Sequence, residues 1–244
     1  MWLLLCSSTD NSALWAAGRL RARGLTPLMV LTPDLLHYSF QWEHRVRTDG
    51  ATSLAFTLPD GSTIDGARVD GVLNRISFVP AHLLNHLAQT DRAYALQEWT
   101  ALHMSWLASL RVPVLNLPVI EGLCGAWRHQ SEWVWLAGQA GLDADAYRQG
   151  APARATDVPH PRAGTLRQRL RTVVTIDGRG FNADVEEPVA DACGRLGVLA
   201  RTRLLGVEVD ARGAFVSASP LPNLRAGGER VIDALAAALR GTAP

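Results

Sequence analysis

Residues 2–33, WLLLCSSTDNSALWAAGRLRARGLTPLMVLTP, decide the fold class. Residues 2–6 are a continuous apolar run of strand length, and the polar residues 7–12 follow. Leu14, Ala17 and Leu20, with Trp15 alongside, recur at helical spacing until Gly24 stops the pattern. TPLMVLTP (26–33) then supplies a second buried strand. A strand–helix–strand opening of this kind starts an open α/β sheet.

Working outward, the pattern switches to alternation in FQWEHRVRT (40–48), SLAFTL (53–58) and TIDGARV (63–69), with Pro59-Asp60-Gly61 as a tight turn. VDGVLNR (69–75) is another buried strand, ending in polar Asn74 and Arg75. TDRAYALQEWTALHMSWLASL (90–110) predicts a helix capped by Thr90 or Asp91, with Ala95, Trp99, Leu102 and Trp106 on one side. RVPVLNLP (111–118) closes the first half with a short strand. A helix is expected over 128–141. GAPARATDVPHPRAG (150–164) has loop composition, within a linker at about 149–165. The second half reads as a hairpin around Asp177-Gly178, a helix over 187–199, a hairpin around 211–213 and a closing helix over 226–241. Two domains are expected, 1–118 and 119–244.

Composition narrows the function. The chain has 244 residues, 48% of them hydrophobic and 19% charged, as soluble globular proteins do. A net charge of +1 argues against nucleic-acid binding. No apolar stretch approaches the roughly 20 residues that span a bilayer, and MWLLLCSS lacks the basic region of a signal peptide. Cys6, Cys124 and Cys193 are odd in number and scattered, which fits neither a disulfide framework nor a CxxC metal site. A cytoplasmic protein with reduced thiols is expected. All 24 basic positions are Arg; the chain contains no Lys.

Several small constellations have two readings each. Glu208 and Asp210 flank Val209, so on a strand they share one face, either as a metal pair or as the polar side of a hairpin. His82 and His86 are spaced for one helical face, as metal ligands or as a solvated surface. Ser7 and Ser8, after the first strand, can bind an anion or cap the helix; GxGxxG and GxSxG are both absent. Asn74 and Arg75 stand at a strand's carboxyl end, facing a ligand cleft or, for Arg75, forming a salt bridge to the helix start at Asp91. Trp133 and Trp135 are about 200° apart on a helix. One then faces a partner, unless the helix lies between two layers that bury both.

The order DGVLNR (70–75), helix 91–110, VPVLNLP (112–118) resembles the N-terminal domain of ATP-grasp ligases, nearest to the branch of RimK-like and peptide-maturing carboxylate–amine ligases. RTVVTIDGRGFNA (171–183) is similar to the strand pair carrying a substrate-side Arg, here Arg171. CGRLGVLARTRLLGVEVD (193–210) resembles the helix and strand presenting a magnesium-binding acid, here Glu208. AFVSASPLPNL (214–224) is similar to the last strand, with Ser217 and Ser219 in place of Glu and Asn. The resemblance implies an α/β fold, doubly wound at the N-terminus, followed by a short α+β remnant of an ATP-grasp domain.

That family activates a carboxylate as an acyl phosphate for attack by an amine. Two lysines hold the ATP phosphates, acids and an Asn hold Mg, and a flexible subdomain covers the nucleotide. Here there is no Lys, His129, Gln130 and Ser131 stand where a lysine-bearing helix start is usual, and the stretch up to Arg171 is short for the covering subdomain. The resemblance therefore implies a non-catalytic binding or scaffold subunit for a peptide or an active ligase partner, with no cofactor expected. Two alternatives stand beside it. One is a minimal ATP- and Mg-dependent ligase using Arg171 and Glu208; the other is a small-ligand sensor at the Ser7–Asn74 sheet edge.

Overall fold

The computed structural model describes residues 1–50, 52–149 and 170–242. These form two compact units, one of Met1–Trp127 with Glu229–Pro244 and the other of Arg128–Gly228.

The first unit is built on a four-stranded sheet of order β2-β1-β6-β7. Its strands are β1 (Trp2–Leu5), β2 (Leu28–Leu31), β6 (Gly71–Asn74) and β7 (Val114–Leu115), all parallel. Leu3, Leu5 and Val72 point into a core containing Trp106 and Leu107, on helix α3 (Gln89–Ser109). Leu4 and Leu73, on the opposite face by alternation, are equally buried. On that face a Cβ at Gly71 would lie 2.6 Å from the Leu239 carbonyl, so the glycine lets helix α6 (Gly228–Leu239) approach. Both faces are thus covered by helices, the doubly wound arrangement expected.

Helix α1 (Asn11–Ala22) starts at Asp10, whose carboxylate accepts from the Ala13 N–H at 2.9 Å. Its buried face is Ala13, Ala16, Ala17 and Leu20, while Leu14 is 40% exposed. Of the expected stripe, Ala17 and Leu20 are buried and Leu14 is not, because the small side chains of Ala13 and Ala16 fill that part of the face. Thr32, capping Leu35 N with Pro33 in the first turn, starts a short helix α2 (Pro33–His37), which the sequence reading did not foresee. The alternating segment forms an antiparallel sheet of β3 (Phe40–Val46), β4 (Thr52–Thr57) and β5 (Thr63–Asp65). Trp42 stacks on Phe56 at 4.1 Å, and Trp106 meets the Phe56 ring edge-on. Helix α3 begins at Ala88 without a side-chain cap, so neither Thr90 nor Asp91 caps it.

The second unit carries an antiparallel sheet of order β11-β10-β8-β9, with β8 (Arg171–Ile176), β9 (Arg179–Phe181), β10 (Leu204–Val209) and β11 (Phe215–Ser219). Val173, Leu205, Val207 and Val209 face a core closed by Cys193 and Leu196 of α5 (Glu187–Leu199) and Trp133 and Ala137 of α4 (Gln130–Ala140). Asp177 and Gly178 both take positive φ, as a two-residue hairpin turn requires. A Cβ at Gly194 would lie 2.1 Å from the Gly178 carbonyl, so α5 rests directly on that turn.

The boundary between the units falls after Trp127, not after 118. The buried Asn74 amide donates to Asn116 O at 2.9 Å and to Leu123 O at 2.6 Å, which ties the segment beyond β7 to the parallel sheet. The closing helix also belongs with the first unit, through ion pairs of Arg23 with Glu229 and Asp233. The expected linker at about 149–165 lies, after Gln149, outside the described residues.

Candidate functional site

Two places collect the residues the sequence singles out. The first is one face of the sheet in the second unit. Glu208 stands directly opposite Thr172 on β8 and Ser217 on β11, and Ser219 stands opposite Gly206. Residues paired across antiparallel strands share a face, so Glu208, Thr172, Ser217 and Ser219 form a half-buried polar row away from the Val207 core. Thr172 Oγ1 donates to Glu208 Oε1 at 2.7 Å.

Asp210 does not join this row. It lies past the end of β10 and is 4% exposed. Its carboxylate accepts from the N–H groups of Arg212 and Ala214 and from Arg212 Nε. Burial acts to raise its pKa, but the Ala214 and Arg212 N–H groups, with the Arg212 guanidinium, hold it below the usual range. The pairing of Glu208 with Asp210 expected from alternation gives way to a turn-forming aspartate, because β10 ends at Val209 and Asp210 opens the turn to Ala214.

Arg171 is committed to backbone. Its Nη1 donates to Asp184 O, and its Nη2 donates to Asp210 O and Ala211 O, at 2.6, 2.8 and 2.9 Å. Arg203 holds Asp177 in a bidentate pair, Arg195 donates to Ala140 O, and Arg128 bridges Glu132 and Ala200 O. These guanidinium groups hold turns and helix ends in place. A magnesium ion prefers several oxygen ligands, carboxylates foremost; among the described residues this face offers the carboxylate of Glu208 with hydroxyls around it, a donor set that does not fit a magnesium–nucleotide.

The second place is the carboxyl edge of the parallel sheet. Arg75, 5% exposed, donates from Nε to Asp10 Oδ2 at 2.8 Å. The ion pair runs to the cap of α1, a partner the sequence did not suggest. Asn74 is fully buried and positions backbone, as described above. Ser7 does not cap α1; Asp10 does, while Ser7 Oγ accepts from Thr9 N and lies 2.9 Å from Thr9 Oγ1.

His82 and His86 do not converge. Ala81–Leu84 is a 3-10 turn, so a spacing of four no longer puts both on one face. His82 approaches Asp34 at 3.8 Å, and His86 packs against His37 with ring centroids 5.6 Å apart. Among the described residues, no group of three or more His, Cys, Asp or Glu side chains is placed to hold a metal ion. The two tryptophans of α4 divide, with Trp133 3% exposed in the core and Trp135 64% exposed. No described helix is long and apolar enough to cross a membrane.

No family model matches the chain, and no curated protein does. Solved structures do. The macrocyclase MdnC from Microcystis aeruginosa MRC, bound with precursor peptide MdnA, aligns over 99% of both chains at 13% identity and TM-score 0.69. A RiPP-associated ATP-grasp ligase from Chryseobacterium gregarium, in complex with ADP and a leader and core peptide, aligns over 100% of this chain and 97% of its own, at 11% identity and TM-score 0.69. The ATP-grasp ligase PsnB, complexed with minimal precursor, Mg and ADP, aligns over 98% of both chains at 17% identity and TM-score 0.61. The chain therefore has an ATP-grasp-like fold, an α/β fold with parallel and antiparallel sheets, in the form these peptide-associated ligases take.

Proposed function

We propose that this protein is a degenerate, non-catalytic ATP-grasp-derived subunit that holds a peptide or an active ligase partner in a peptide-modification pathway. The observation that carries this reading is the polar row around Glu208. Among the described residues it has one carboxylate, hydroxyls at the two opposite positions, and beside it Arg171, whose guanidinium is engaged by backbone carbonyls. The similar structures were solved with precursor, leader or core peptides, which supports a peptide as the partner. Trp135, 64% exposed on α4, is the anchor we assign to that partner. The loss of the nucleotide-covering subdomain is part of the proposal, and it rests on the short stretch of sequence between Ser131 and Arg171. Three unpaired thiols suit a cytoplasmic setting.

Calorimetry with ATP and magnesium tests the reading. No binding is expected, and micromolar affinity would remove the proposal. Co-purification with mass spectrometry should return a peptide or ligase partner, with less of it recovered for Trp135→Ala.

One observation favours a second reading. Two of the structures that match over almost the whole chain contain ADP, one of them with Mg. A minimal ATP-dependent carboxylate–amine ligase would use Glu208 for the metal and Arg171 toward the substrate. It predicts ADP release in the presence of acid and amine substrates, abolished by Glu208→Ala.

A further inference from the structure

The parallel sheet of the first unit has a topological switch point between β1 and β6. From β1 the chain moves outward to β2, then returns across β1 to add β6 on its other side. At the carboxyl ends of such a strand pair the connections diverge and leave a crevice, where open α/β sheets bind ligands. Here the crevice is a cavity of about 320 Å³, within the usual range for small-molecule sites.

Its lining is built. Arg75 reaches it with a side chain only 3% exposed, held by Asp10 at 2.8 Å. Ser7, Thr9 and Ser77 bring hydroxyls to the wall. Asp34 and His82, 3.8 Å apart, also line it. Phe78, 66% exposed, adds an aromatic carbon surface.

We propose that this cavity binds an uncharged ring bearing neighbouring hydroxyl groups. The charge balance selects against an anion. Arg75 is neutralised by Asp10 behind the wall, and Asp34 lines the cavity beside the His82 imidazole, so a phosphate or carboxylate would be desolvated next to a carboxylate with the Arg75 charge already balanced. The wall's hydroxyls both donate and accept, Arg75 donates and Asp34 accepts; their complement is a ligand in which every polar group can do both. The carbon face of such a ring packs on Phe78. Two kinds of molecule carry this chemistry, a free monosaccharide and the ribose of a nucleoside. The inference stands on the first unit alone and does not depend on the peptide reading.

Calorimetry on the full chain with D-glucose, adenosine and AMP tests it. Saturable binding of glucose or of adenosine is expected, and whichever binds identifies the source. If adenosine binds, AMP should bind at least tenfold more weakly. Ser77→Phe, which fills the cavity, should weaken binding at least tenfold; should that variant misfold, Phe78→Ala at an exposed position must show a loss of at least threefold. Absence of saturable binding by both neutral probes overturns the proposal. So does AMP binding as tightly as adenosine, or unchanged affinity in the folded variants.

Discussion

Thr172 Oγ1 donates to Glu208 Oε1 at 2.7 Å across the β8–β10 pair, so a neighbouring hydroxyl fixes the orientation of that carboxylate. Glu208→Ala removes that hydrogen bond and should lower stability by about 1 kcal/mol. Neither the wild type nor the variant should respond to ATP and magnesium in calorimetry. ADP release by the wild type that Glu208→Ala abolishes would instead establish the ligase reading.

His103 predicts how the first unit responds to acid. It is 2% exposed, stacks on Trp99, and neither ring nitrogen has a hydrogen-bond partner among the described residues. Burial lowers its pKa from 6.5 to about 4. Between those values the unfolded chain binds a proton that the folded chain excludes. Stability is therefore full above about 6.5 and falls as the pH drops toward 4, by about 3 kcal/mol in all. Urea midpoints measured from pH 7 to 4 should show this slope, and His103→Phe should flatten it.

Cys6, Cys124 and Cys193 are unpaired and fully buried, and burial raises their pKa values to about 12, 11 and 12. A thiolate-selective reagent at pH 8 should label none of them in the native protein and all of them in denaturant. Rapid labelling of a native thiol would contradict the buried positions.

Trp133 and Trp135 should separate stability from binding. Trp133→Ala opens a cavity against Leu196 and Ala137 and should destabilise the second unit by about 3–5 kcal/mol. Trp135→Ala should leave the unfolding midpoint within about 0.5 kcal/mol of wild type. A partner that binds equally well to Trp135→Ala does not use this residue as its anchor.

Much of the architecture was legible in local pattern. The apolar run at 2–6 and the segment VDGVLNR (69–75) read as the buried strands that β1 and β6 are, and Asp177-Gly178 could accept the positive φ of a tight hairpin. The boundaries were less legible. Asn74 holds Leu123 in the first unit through a side-chain hydrogen bond spanning 49 residues, and no window of sequence contains both. The helix start at Ala88 lacks a capping side chain, so the capping residues at 90 and 91 misled. The site residues were found by type and placed by register. Glu208 did fall on a strand, but that strand ends at Val209, and Asp210 instead closes the turn through the Arg212 and Ala214 N–H groups.

The sequence alone determined the alternation of the longer strands and helices and the absence of lysine, because these follow from composition and short-range periodicity. Only the tertiary structure decided which guanidinium groups are engaged, which tryptophan is exposed and where Arg75 finds its carboxylate. Hydrogen bonds and ion pairs reach about 3 Å in space, and the chain brings those partners together from positions as far apart as Asp10 and Arg75 or Arg171 and Asp210.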